Sequence, residues 1–122
     1  MAQSIDDIRN IRDTALAALD SAIEVLGSKI AQTTTTGPFL DQLTTRFDDL
    51  MSERNSILAA ATEAVLQLPE VVAAADTLNS LADKMTTAAQ ALPRATNILT
   101  RSTSVLALGQ QFADTLATAR QA

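Results

Sequence analysis

The chain has 122 residues and a net charge of −5, which fits one domain and argues against nucleic acid as a partner, because phosphates need a basic stripe to neutralise them. The same charge disfavours an electrostatic grip on anionic lipid. His, Cys, Trp and Tyr are absent, so the commonest general base, the thiol nucleophile and the favoured transition-metal ligands are missing, and neither a structural zinc site nor a disulfide can form.

The N-terminus, MAQSIDDIRN, has no basic n-region and no apolar h-region, so it does not read as a secretory signal. No stretch approaches the ~18 apolar residues of a membrane span. A cytoplasmic protein is the expectation, with secretion lacking a cleaved signal as the alternative.

Sparse Gly and Pro residues divide the chain into four segments. The first starts at Ser4, a good N-cap, with Asp6 and Asp7 in the first turn, where the helix dipole favours acids. Leu16, Leu19, Ile23, Leu26 and Ile30 follow at alternating spacings of three and four, a helical seam. Ile11, Ala15, Ala18, Ala22 and Val25 form a second stripe beside it, so the apolar face is as broad as a bundle helix needs. Gly27 either ends this helix or lies inside it. Thr33–Thr36 and then Gly37-Pro38 read as a loop joining two antiparallel helices.

The second segment starts at Pro38 and is expected to run to Leu68. Leu40, Leu43, Phe47, Leu50, Ile57, Ala61 and Leu68 keep the heptad, and Arg54 falls where that stripe expects an apolar residue. The third segment, Pro69–Leu92, has the cleanest seam: Val71, Ala75, Leu78, Ala82, Met85, Ala89 and Leu92. Ala at so many seam positions lets helix axes approach closely. After Pro93 the fourth segment carries Ala95, Ile98, Ser102, Val105, Gly109, Phe112, Leu116 and Ala119. It holds Arg94, Arg101 and Arg120 against a single acid, Asp114. A basic segment beside three acidic ones suggests that it docks on them antiparallel to a neighbour. The expected fold is therefore all-α: one antiparallel bundle of four segments over residues 1–122, or of three long helices if Pro93 only kinks the last.

The candidate sites are few. The carboxylate pairs Asp20/Glu24 and Asp49/Glu53 are spaced four apart on a helix and could in principle hold a divalent cation. The helical di-iron pattern needs His, however, and most of these acids fall on polar faces. Ser and Thr are common, but no base accompanies them and no Gly-x-Ser-x-Gly elbow exists. Three glycines in all leave no phosphate-cradling loop. The three Phe residues read as core. Arg54, with Glu53 beside it, reads either as a residue at the edge of the stripe whose head reaches water, or as a polar layer in the seam that could fix register or oligomer state, or hold an anion, with Asp20, Glu24 and Asp83 as its possible partners. Arg94 and Arg101 are further candidates for contact.

This inventory predicts a non-enzymatic helical module without a cofactor or metal, a subunit or adaptor that binds a protein partner or a second copy of itself. The alternatives are an amphipathic protein that coats lipid or polymer granules, for which membrane contact is disfavoured by the charge, or a small helical toxin or effector component.

Overall fold

The computed structural model describes residues 5–94 and 96–121, so the expected cap at Ser4 and the seam position Ala95 lie outside the described residues. The elements are α1 (Ile5–Gln32), α2 (Pro38–Ala60), α3 (Glu63–Leu66), α4 (Pro69–Ala73), α5 (Ala75–Ala91), a 3₁₀ turn (Leu92–Arg94) and α6 (Ile98–Gln121). Among the described residues there is no strand. The all-α bundle expected from periodicity is what forms, and four of its helices are long.

Helix α1 packs on α2 and α5, and α6 packs on the same two. The four long helices thus form a ring in the order α1, α2, α6, α5. The short loop at 33–37 makes α1 and α2 antiparallel, and the turn at 92–97 does the same for α5 and α6. Helices α2 and α5 stand on a diagonal, so the intervening α3 and α4 carry the chain across one end of the bundle.

That crossing explains the main departure from the sequence reading. Helix α2 ends at Ala60, not at Leu68. Ala61 still donates its N–H to Ile57 O at 2.8 Å, but its backbone has left the helical region, at φ −101° and ψ 49°. A straight α2 would continue about 12 Å further along its axis. By turning, the chain tucks Ala61, Leu66 and Val71 into the core. Arg12 Nη1 donates to the Ala61 carbonyl at 3.3 Å, so one carbonyl freed at the helix end is satisfied from α1. Glu63, just beyond the turn, accepts from Arg9 Nε at 2.9 Å, a bond that raises the guanidinium pKa above its ordinary value. The third segment is also interrupted, at Ala74, between α4 and α5.

Pro93 separates two helices. Leu92 to Arg94 form the 3₁₀ turn, and Asn97 starts α6 as an N-cap: Thr100 N–H donates to Asn97 Oδ1 at 3.2 Å, and Arg101 N–H to Asn97 O at 3.1 Å. Gly27 lies inside α1.

The third-segment seam is buried from Val71 to Leu92, and so is the fourth from Ile98 to Ala119. On α1 the deepest line is Ile8, Ala15, Leu19, Ala22 and Leu26. Leu16, Ile23 and Ile30, part of the seam expected from spacing, are only half-buried. The deepest line therefore runs between the two stripes, taking Leu19 and Leu26 from one and Ala15 and Ala22 from the other, and the small alanines let a neighbouring helix come close.

Candidate functional site

Helix α2 has a different neighbour on each flank, and its polar inward residues divide between them. Leu43, Leu50 and Ile57, each seven residues from the next, form its buried spine. Phe47 and Arg54 project toward α1. Arg46, Glu53 and Ala60 project toward α6.

On the α1 side, Phe47 Cε2 lies 3.4 Å from where a Cβ on Gly27 would be. Arg54 Nε donates to Asp20 Oδ1. Their side chains are 32% and 53% exposed. Arg54 therefore closes the rim of the α1–α2 seam and is no buried layer within it, with its apolar stem covering the seam and its head in reach of water. Of the three acids that could have met it, Asp20 does.

On the α6 side, Glu53 fits against a helix with a notch in it. A Cβ on Gly109 would meet Glu53 Cγ at 3.1 Å, Leu19 Cδ2 at 3.5 Å and Met85 Cε at 3.8 Å. Glu53 Oε1 is buried with no hydrogen-bond partner, as is Arg46 Nε. Arg46 does not reach Glu53 but lies 3.5 Å, through Nη1, from Asp49 Oδ2. Burial pushes the Glu53 carboxyl above its usual range, and the negative charge of Asp114 on α6 adds to the rise. Glu53 is the inward-facing polar residue of this seam, and its neighbour Arg54 is the rim residue of the other. Consecutive helical residues differ by about 100°, enough to send these two to different partners.

Arg94 and Arg101 are not brought near either residue. Arg94 is exposed on the 3₁₀ turn and Arg101 on the first turn of α6, eight residues or about 12 Å along the axis from Gly109. Helix α6 docks antiparallel to α5 as its charge suggested, but by apolar burial. Among the described residues, Arg94, Arg101 and Arg120 enter no ion pair, and the paired arginines lie on α1 and α2.

One acid of each pair with metal-like spacing is otherwise engaged, Asp20 with Arg54 and Asp49 with Arg46. Among the described residues no group of three or more His, Cys, Asp or Glu could hold a metal ion. No described helix is long and apolar enough to cross a membrane.

One expectation for the aromatics is overturned. Phe112 is core and Phe47 packs at the core's edge, but Phe39 is 45% exposed. It sits in the first turn of α2, where the bundle ends, and borders a cleft of about 580 Å³ with Ser28, Gln32, Leu92 and Pro93. Met51 and Leu58 are likewise 38% and 48% exposed. All three exposed large apolar side chains among the described residues belong to α2.

No protein-family model, curated protein or solved structure matches the chain.

Proposed function

We propose that this protein is a non-enzymatic structural module that works through its helical surface, and that the outer face of α2 joins it to a second copy. The observation that carries this reading is the placement of Met51 and Leu58 on either side of Arg54, at i−3 and i+4 on one helical face. The midpoint of that patch falls between Arg54 and Asn55. Two α2 helices crossing antiparallel at that point would set Met51 of each copy against Leu58 of the other, the self-complementary arrangement that a two-fold axis requires. Asp20 neutralises Arg54, so the centre of the patch carries no net charge, and the cost of desolvating the ion pair keeps the contact weak.

The patch is small and each copy carries −5. Association should therefore be weak and strengthened by salt, which screens the mutual repulsion. Light scattering coupled to size exclusion, over a concentration series at low and high salt, tests this. The expected result is a concentration-dependent dimer that M51K/L58K abolishes without lowering the melting temperature. A monomer throughout the series, or a dimer indifferent to M51K/L58K, overturns the α2 contact. The coating alternative is tested by co-sedimentation with liposomes at low salt, and no pelleting is expected.

A further inference from the structure

Glu53 sits midway along the bundle, in the seam that closes α2 against α6, with its Cγ in the notch left by Gly109 and its Oε1 buried without a hydrogen bond. Among the described residues no cation comes to it. On α2 itself, Arg46 is held by Asp49 and Arg54 by Asp20. On α6 the titratable group facing it is Asp114, a second acid, while Arg120 lies further down that helix beside Ala60 and Leu116. On α1 the charged residue next to Leu19 is Asp20, already paired with Arg54. On α5, Met85 closes the far side of the notch, and Asp83 and Lys84 before it are exposed.

A carboxylate with one oxygen buried in this way loses part of its hydration with no hydrogen bond in its place, and a second negative charge adds to the penalty. The neutral acid loses far less and can donate a hydrogen bond that the carboxylate cannot.

We propose that Glu53 is a proton-controlled latch on the α2–α6 seam, closed when its carboxyl is protonated and eased open when it ionises. In the acid form its methylenes rest against Gly109 and α6 packs fully. In the ionised form the carboxylate is drawn toward water, and the Cγ that fills the notch moves with it. The surface that α2 presents is then coupled to pH through the opposite flank of the same helix. This coupling does not depend on whether α2 meets a second copy.

The direction follows from proton linkage. A carboxyl with a higher pKa in the folded chain than in the unfolded one binds its proton more tightly when folded. Its contribution to stability is fully present below the ordinary value of 4.5 and is lost as the pH climbs through the raised folded value.

Thermal melts of the full chain between about pH 4 and pH 7 test this against E53Q, which mimics the uncharged acid. At neutral pH, E53Q should melt above wild type, and the gap should shrink as the pH falls. D114N should raise the melting temperature less and preserve most of the pH dependence. In hydrogen exchange at neutral pH, the amides of residues 105–112 should exchange more slowly in E53Q than in wild type. Carbon-13 NMR titration of the Glu53 carboxyl in wild type should give a midpoint above 4.5. Parallel pH profiles for wild type and E53Q, an E53Q chain that is less stable or fails to fold at neutral pH, unchanged exchange at 105–112, or a midpoint at or below the ordinary value would each overturn the latch.

Discussion

A Cβ added to Gly27 would stand 3.4 Å from an aromatic edge of Phe47, an ordinary van der Waals contact, whereas one added to Gly109 would stand 3.1 Å from the middle of the Glu53 side chain. Both glycines are inside helices, where Ala is favoured by roughly 0.5–1 kcal/mol. G27A should therefore stabilise the protein by about that amount. G109A has to displace Glu53 as well, and should lower stability by about 1 kcal/mol despite the better helix former. In an E53A background the obstructing Cγ is gone, and G109A should become stabilising. Chemical denaturation of the four chains (wild type, G109A, E53A and the double variant) measures the coupling directly. Additive effects would mean that Gly109 and Glu53 do not share the notch. Sequence reading placed Gly109 on a seam and Glu53 beside a seam. It gave no sign that the two meet, because one heptad stripe carries no label for the stripe opposite.

Among the elements, the helix ends were the hardest to read. Asn97 caps α6 by accepting from Thr100 N–H, yet a lone Asn between Thr96 and Ile98 stands out less than the proline four residues before it. N97A should cost about 1 kcal/mol, read as a lower denaturation midpoint with an unchanged slope. The cap matters here because α6 begins without an acid in its first turn. The overlong α2 has a different cause. Ala61 and Leu68 continue the heptad and their propensities suit a helix, but tertiary burial of Ala61, Leu66 and Val71 outweighs a few more helical hydrogen bonds. Pro93 was the clearer signal, since a proline in a helix interior removes a bond and clashes with the preceding turn.

For the whole molecule, the ring of four helices has no spare member. Phe112 and Leu116 of α6 are fully buried, and α6 covers the flanks of both α2 and α5. Removing Pro93–Ala122 would expose Leu50, Ile57, Leu78 and Met85, each of them now buried. The truncated chain should lose its cooperative thermal transition, as followed by far-ultraviolet circular dichroism. A sharp melt would show that α1, α2 and α5 form a sufficient core alone.

The residues by themselves determined that the chain is all-α, that its seams run through Val71–Leu92 and Ile98–Ala119, and that His- and Cys-based chemistry is unavailable to it. Those properties are local: composition is a list, and a period of 3.6 is written along each helix independently of its neighbours. Only the tertiary structure decided that Arg54 lies on a rim with Asp20 while Glu53 is drawn into the opposite seam, that Phe39 is left outside, and that α3 and α4 cross the end of the bundle. Each of those outcomes depends on which helix stands beside which flank. Periodicity fixes the face that is buried but not the helix that buries it.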